Sequence, residues 1–321
     1  MAYIKAERFL HVRIDMRIVF MGTPSYATTI LEALVNDTQM DVCLLVTQED
    51  KPVGRKQVLT PPHTKAWIQE AGHAIEVYQP KSLREQEAIA KIASLKPDFI
   101  VVAAYGKLLP KAILDIAPCI NLHASLLPKY RGASPIQSTL LHHESYAGVT
   151  SMLMEEGLDT GAMLGFTYHQ IQPEDNAGKL FDILAHDAAS LTLKTLKQFD
   201  TLLPIKQVGS EASHCKKITK EEGEISFDMS SCAILSKYRG LTPWPGIFLP
   251  TGLKLLELEE NMSHSNHTLA GTIEAIHKEG VVVTCKEGSV LLKWVQAPSK
   301  NAMLASDYVR GKRLGIGNTL A

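Results

Sequence analysis

Short apolar runs alternate with helix-like patterns over the first two thirds of the chain. The runs have the length of buried strands and lie at 17–21, 42–47, 75–78, 99–103, 119–123 and 149–154. Apolar residues with helical spacing predict helices over 25–35, 65–70, 85–95 and 135–141, and a long helix from near Asn176. Strands separated by helices are typical of an α/β fold with a doubly wound, mainly parallel sheet.

The pattern changes after Leu203 and Pro204. Residues 205–220 are polar and have no clear period, which predicts a linker. Short β-like runs follow at 271–276, 281–285 and 290–295, with Gly-containing turns between them. This spacing favours a small antiparallel β-barrel of the OB-like kind. We therefore expect an α/β domain over 16–204, a linker over 205–220 and a barrel domain over 221–321.

The first fifteen residues do not follow either pattern. They contain no apolar core of about 7–15 residues, so they do not read as a signal peptide. The first clean strand pattern begins at Met16. We expect residues 1–15 to be an extension from an upstream start; an N-terminal arm that docks on the body is the alternative.

Composition limits the classes of function. A formal net charge of −1 gives no overall field that would attract a polyanion, so any nucleic-acid surface must be a local patch. Five Cys without a C-x-x-C pair argue for a reducing compartment, with no disulfide framework and no zinc site. No apolar run reaches the roughly 18 residues of a membrane span. These features predict a cytoplasmic protein.

Candidate chemistry lies where predicted strands end. Asn121 and His123 are two residues apart at the end of the 119–123 run, so their side chains project on the same face. An Asn amide can donate a hydrogen bond to a developing oxyanion, and a His can carry a proton near neutral pH. Taken alone, such a pair is more often structural.

Asp159 lies between Gly157 and Gly161, just after the 149–154 run. Alone it reads as a turn residue, but a carboxylate near His123 would favour the charged imidazolium. Amide, imidazole and carboxylate on neighbouring strand ends would form a site for addition to a carbonyl. Because no Ser or Cys stands in an activating context, direct transfer is favoured over a covalent intermediate.

The turn at Gly22-Thr23-Pro24 also follows a strand. It lacks the further glycines of a dinucleotide-binding fingerprint, which disfavours a nicotinamide oxidoreductase. A plain β-to-α turn is the alternative interpretation.

Several segments together resemble the folate-dependent formyltransferases. NLHASLLPKYRG at 121–132 and GLDTGAM at 157–163 place Asn121, His123 and Asp159 where that family has its catalytic trio. MRIVFMGTP at 16–24, AAYGKLLP at 103–110, ITKEEGEISF at 218–227 and LTPWPGIF at 241–248 are similar to the members that act on methionyl-tRNA. The resemblance runs from Met16 to about Gly311 and implies a Rossmann-like formyltransferase domain before the barrel.

The resemblance implies transfer of a formyl group from 10-formyltetrahydrofolate to the methionine amino group of initiator methionyl-tRNA, for translation initiation. It implies a folate site at Ser125, Leu126, Leu127 and Pro128, a methionine pocket at Tyr26, and tRNA contacts from Lys51, Arg55 and Lys56. The barrel domain is expected to bind tRNA as well. The basic run after Gly54 is shorter than the family usually has, and the residues alone favour a solvated charged loop over 51–62.

The expected protein is a monomer that uses folate as donor and no metal. The alternatives are a formyltransferase acting on an amino sugar, a formyl-folate hydrolase and a non-catalytic tRNA-binding protein.

Overall fold

The computed structural model describes residues 16–54, 56–261 and 269–320. The expected extension over 1–15 lies outside the described residues, as does Arg55. The strands are β1 Met16–Gly22, β2 Met40–Val46, β3 Lys51–Val53, β4 Val58–Thr60, β5 Val77–Tyr78, β6 Phe99–Ala103, β7 Cys119–His123, β8 Arg131–Gly132, β9 Tyr146–Leu153, β10 Met163–Gln170, β11 His214–Cys215, β12 Ile247–Phe248, β13 Lys254–Asn261, β14 Ile273–Ile276, β15 Val281–Thr284, β16 Ser289–Gln296 and β17 Met303–Leu304. The helices are α1 Ser25–Asn36, α2 His63–Ala71, α3 Gln86–Ser94, α4 Lys111–Leu114, α5 Pro135–Leu141, α6 Ala177–Gln198, α7 Ser231–Leu241 and α8 Ala305–Gly311.

A seven-stranded sheet, ordered β10-β9-β7-β6-β1-β2-β5, carries the α/β part. β5, β2, β1, β6 and β7 run parallel, whereas β9 runs antiparallel to β7. The central strands read as continuous apolar runs because helices cover both faces of such a sheet. Ile18, Val19 and Phe20 in β1 and Ile100 and Val101 in β6 are fully buried. The predicted mainly parallel α/β sheet is confirmed.

The C-terminal strands form an antiparallel sheet in the order β12-β13-β16-β15-β14, with β17 paired to β16. Their core contains Val281, Val283 and Leu292, each fully buried. Ile234 and Leu241 of α7 belong to the same core cluster. The predicted C-terminal domain of antiparallel strands is confirmed.

The chain divides into two compact units. The first comprises the described residues up to His123, with Val149–Thr167 and Ala185–Gln207; the second comprises Ala124–Gly148, Tyr168–Leu184 and the described residues from Val208 on. The predicted domain limits at 204 and 221 stay predictions. Among the described residues, no helix combines the length and the apolar character needed to cross a bilayer.

A local difference from the sequence analysis has a physical cause. The segment predicted as a loop at 51–62 contains the hairpin of β3 and β4, whose residues are all exposed and so lack the alternation that indicates a strand.

A buried carboxylate, Asp175, stabilises the turn before α6 in the second unit. Burial opposes ionisation of this group, but hydrogen bonds from the Gln172 amide, Lys179 and His169 outweigh burial and lower its pKa. His169 Nε2 lies 3.1 Å from Asp175 Oδ2, and Lys179 Nζ lies 2.9 Å from Oδ1.

Candidate active site

β7 presents two polar side chains within the sheet of the first unit. Asn121 is paired in register with Val102 of β6 and with Met152 of β9, and it is half-buried. His123 is 6% exposed at the last position of the strand. Leu122 lies between them and is buried, which leaves Asn121 and His123 with the shared face that the sequence predicts.

Asp159 completes a compact polar cluster with these two residues. Its Oδ1 accepts a hydrogen bond from Asn121 Nδ2 at 3.4 Å, and its Oδ2 lies 3.6 Å from His123 Nδ1. The side chains of His123 and Asp159 are only 7% and 11% exposed. Because water is largely displaced here, a charge on the imidazole interacts with this carboxylate more strongly than it would at the surface.

The loop that carries Asp159 joins β9 to β10. A Cβ on Gly161 would lie 1.7 Å from the Leu153 carbonyl oxygen, so only glycine allows this close approach. The Leu153 amide donates to the Ala162 carbonyl at 2.9 Å, and Thr160 Oγ1 donates to Glu155 Oε1 at 2.6 Å. Asp159 itself has a positive φ of 52°, which Asp tolerates better than most residues.

Gln207 is a site residue that the sequence analysis does not identify. Its side-chain amide donates to the carbonyl of Asp159 at 2.9 Å and to the carbonyl of Gly161 at 2.8 Å. The residue falls in the segment predicted as a linker, 48 positions after Asp159, and no motif or spacing in the sequence connects the two. Only the folded backbone brings them together.

Tyr26 lies beneath the strand that carries Asn121 and His123. It is buried, and its hydroxyl donates to the Leu122 carbonyl at 3.4 Å, between the two polar residues of β7. Burial raises the pKa of this phenol, so Tyr26 is neutral and available as a donor. The expected methionine pocket at Tyr26 stays a prediction, and the burial of the side chain also fits a role in the core.

The predicted folate segment begins two residues after His123 and lies in the second unit. Ser125 is buried and donates to the Lys129 carbonyl at 2.6 Å, while the Lys129 amide donates to the Leu126 carbonyl at 3.2 Å. These bonds close a turn over Leu126, Leu127 and Pro128, in which Leu127 is buried.

Leu126 and Pro128 line a cavity of about 740 Å³ within this unit. That volume lies in the range of small-molecule sites. Lys129 and Tyr130 also line it and both contact Glu144, at 2.8 and 2.7 Å. Burial opposes ionisation of Glu144, but hydrogen bonds from Lys129 and Tyr130 outweigh it and lower the pKa of this carboxyl.

Two of the predicted tRNA-binding residues lie on the β3–β4 hairpin. Lys51 and Lys56 are exposed, whereas the third, Arg55, lies outside the described residues. Large apolar side chains are also exposed on this hairpin; they are Val53, Val58 and Leu59. The hairpin therefore presents both cationic and apolar groups to solvent.

Among C-terminal cations, Lys293 and Arg310 are engaged with acids. Lys293 pairs with Glu257 at 3.7 Å and also with Glu259, and Arg310 pairs with Asp307 at 3.0 Å. These carboxylates offset part of the positive charge that the two cations bring to the C-terminal domain.

Within the described ranges, no cluster of three or more His, Cys, Asp or Glu side chains is arranged to hold a metal ion.

Solved structures with the same fold include an N-formyltransferase and the larger protein HypX. The N-formyltransferase from Helicobacter canadensis, in complex with folinic acid and dTDP-3-aminofucose, superposes with a TM-score of 0.63 at 16% identity, covering 87% of this chain and 99% of that one. HypX from Aquifex aeolicus in complex with tetrahydrofolic acid superposes with a TM-score of 0.61 at 14% identity. The match covers 94% of this chain and 48% of HypX, so the chain spans about half the length of that protein. These likenesses establish the fold.

Sequence comparison identifies the family of the chain as well as its fold. A family model described as formyl transferase matches residues 16–196, and one described as formyl transferase, C-terminal domain, matches residues 217–313. The chain is 54% identical to the methionyl-tRNA formyltransferase of a Nitratiruptor species, over 95% of this chain and 99% of the relative. It is 51% identical to the methionyl-tRNA formyltransferase of Campylobacter curvus, over 95% and 100% respectively. The chain therefore belongs to the formyl transferase family.

Proposed function

We propose that this protein transfers the formyl group of 10-formyltetrahydrofolate to the amino group of methionine on initiator methionyl-tRNA. The observation that carries the proposal is the similarity to relatives named methionyl-tRNA formyltransferase. About half of the aligned residues are identical, and the alignment covers nearly the whole of both chains. The cluster of Asn121, His123 and Asp159 supplies the chemistry that this reaction needs. The protein would act in the cytoplasm as a monomer, at the start of translation.

The reaction is an acyl transfer between two nitrogen atoms. The methionine α-amino group has a pKa near 8, so about a fifth of it is neutral near pH 7.4, and this neutral amine attacks the formyl carbon. A C–N bond forms, the carbonyl oxygen becomes an oxyanion, and the bond from the formyl carbon to the folate nitrogen then breaks. One proton must move from the incoming nitrogen to the departing one.

Asn121 and His123 stabilise the oxyanion, and His123 also transfers the proton. The Asn121 amide donates a hydrogen bond to the oxyanion, which is a role worth roughly 10²–10³-fold in rate. The protonated His123 adds a second donor and moves the proton between the nitrogens, with a contribution of roughly 10²–10⁴-fold. No covalent enzyme intermediate is required.

Asp159 acts on His123 rather than on the formyl carbon. Its carboxylate, 3.6 Å from Nδ1, stabilises the imidazolium and orients the ring. Its contact with Asn121 also limits the orientations of the amide. The two contacts are long for hydrogen bonds, which is common in catalytic sites before the transition state.

Substrate binding is assigned to neighbouring segments. The turn at Ser125, Leu126, Leu127 and Pro128 would bind the folate through backbone groups and an apolar wall, consistent with the cavity that Leu126 and Pro128 line. Lys51 and Lys56, with Arg55, would contact the phosphates of the tRNA acceptor stem. Tyr26 would support the methionine side chain.

The decisive experiment offers the purified protein 10-formyltetrahydrofolate with four acceptors in separate reactions. These are charged initiator tRNA, charged elongator methionine tRNA, a nucleotide-linked amino sugar, and water alone. We expect formylation of the initiator tRNA, measured as formylmethionine released by mild base and identified by mass spectrometry. Formylation of the amino sugar, hydrolysis alone, or tRNA binding without transfer would each replace the proposal with a different function.

A further inference from the structure

The segment after the first family domain returns to the active-site loop. Ile205 forms an isolated antiparallel bridge with Met163, the first residue of β10. The Met163 amide donates to the Ile205 carbonyl at 2.8 Å, and the Ile205 amide donates to the Met163 carbonyl at 2.9 Å. This bridge sets the position of the chain two residues before Gln207.

Gln207 is half-buried, whereas Lys206 and Val208 on either side of it are exposed. Its amide nitrogen donates to two carbonyls of the loop that carries the catalytic carboxylate, those of Asp159 and Gly161. The two carbonyls flank Thr160, so the amide joins both ends of the short stretch that presents this carboxylate. A carboxamide is suited to this task because it offers two donors on one nitrogen.

The loop needs these hydrogen bonds because its backbone adopts an unfavourable conformation at Asp159. Asp159 has a positive φ, a conformation that is sparsely populated for residues other than Gly and persists only where the surroundings support it. A partly buried carbonyl that has no hydrogen-bond donor destabilises the folded loop. Without the Gln207 amide, the loop would therefore rearrange until its carbonyls find other donors. A shift of about 1 Å in a catalytic group can lower a rate about 100-fold.

We propose that Gln207 is a positioning residue for the formyl transfer. It holds the loop at Asp159 and Gly161 so that the Asp159 carboxylate stays opposite Asn121 and His123. This inference rests on the proposed function, because its readout is the rate of that reaction. It predicts that Gln207 acts through Asp159 and not through the general stability of the fold.

The test is a double-mutant cycle. Gln207→Met keeps the length of the side chain and removes both donors, and it is combined with Asp159→Asn. Single-turnover formylation of charged initiator tRNA, steady-state KM values and melting temperatures are measured for the wild type, both single variants and the double variant. Gln172→Met is the matched control, because its amide also donates to a backbone carbonyl, that of Gln170 at 3.0 Å.

We expect Gln207→Met to lower kcat about 10- to 100-fold with both KM values within about twofold of wild type. In the Asp159→Asn background the same change should cost less than about twofold, because the group it positions has lost its charge. Gln172→Met should leave kcat unchanged.

An unchanged kcat in Gln207→Met, or an equal fold-loss with and without the Asp159 carboxylate, would overturn the inference. If Gln207→Met does not fold, Gln207→Asn replaces it and the same two criteria apply, since the shorter amide cannot reach both carbonyls. A wild-type protein that formylates no tRNA would instead contradict the proposed function, so the two failures are distinguishable.

Discussion

Asp159→Asn is the change that most sharply isolates an electrostatic contribution in this site. Asn has nearly the same shape as Asp, so the loop geometry and the contact with Asn121 can persist while the negative charge is removed. In the wild type, the carboxylate lies 3.6 Å from His123 Nδ1, and both side chains are almost entirely buried. The perturbation therefore acts mainly on the charge that develops on His123.

The size of the effect follows from Coulomb's law. With an effective dielectric constant of about 20, two unit charges at 3.6 Å interact by about 4.6 kcal/mol. Each 1.4 kcal/mol or so is tenfold in rate, so the full interaction would be worth about three orders of magnitude. Only the part that is stronger in the transition state than in the ground state accelerates the reaction. We therefore expect a loss of about 10²–10³-fold in kcat.

The assay is steady-state formylation of charged initiator tRNA at saturating concentrations of tRNA and formyl donor, which gives kcat. Asp115→Asn serves as the control, because Asp115 pairs with Lys111 in an exposed i,i+4 contact and should change the rate less than about twofold. Melting temperatures show whether both variants are folded. If Asp159→Asn keeps more than about a third of the wild-type kcat, the carboxylate does not stabilise a charged imidazole in the transition state.

Three further predictions test the loop, the tRNA surface and the acid stability. Gly161→Ala should lower kcat at least about 100-fold, because its Cβ would collide with the Leu153 carbonyl; wild-type rates in a folded variant would contradict this. Lys51→Glu combined with Lys56→Glu should raise the tRNA KM about tenfold at low salt and flatten its salt dependence, with kcat preserved; an unchanged KM would remove the hairpin from the tRNA interface. Because the pKa of Asp175 is lower in the folded protein than in the unfolded chain, its ionised form stabilises the fold. This contribution to the free energy of unfolding is fully present above the usual carboxyl pKa of about 4 and is lost as the pH falls through the lower pKa of the folded protein. Asp175→Asn should therefore make the loss of stability at acid pH less steep in urea titrations and reduce stability at neutral pH by about 1–3 kcal/mol, and an unaltered slope would refute the assignment.

The sequence predicts the central strands well because burial on both faces leaves a continuous apolar run. The strands Phe99–Ala103 and Cys119–His123 begin and end at the predicted residues. Asn121 and His123 can be identified for the same reason, since polar residues interrupt an apolar strand at alternate positions. Tertiary structure is not needed to see that they share a face.

The remaining elements depend on contacts that no local pattern contains. The sequence does not predict β10, because exposed Phe166 and Tyr168 blur the alternation between apolar and polar positions. It does not predict β13 either, because that strand is rich in glutamates. Gln207 illustrates the limit most clearly, because its two partners are backbone carbonyls, which have the same chemistry at every position of the chain.

The catalytic role of His123 is tested by the initial rate of formyl transfer to charged initiator tRNA, measured side by side for the wild type and His123→Ala. The wild type should produce formylmethionine from 10-formyltetrahydrofolate, and the folded variant should be slower by about 10²–10⁴-fold. Equal rates for the two proteins would show that the imidazole of His123, and with it the cluster around Asp159 and Asn121, does not carry the reaction.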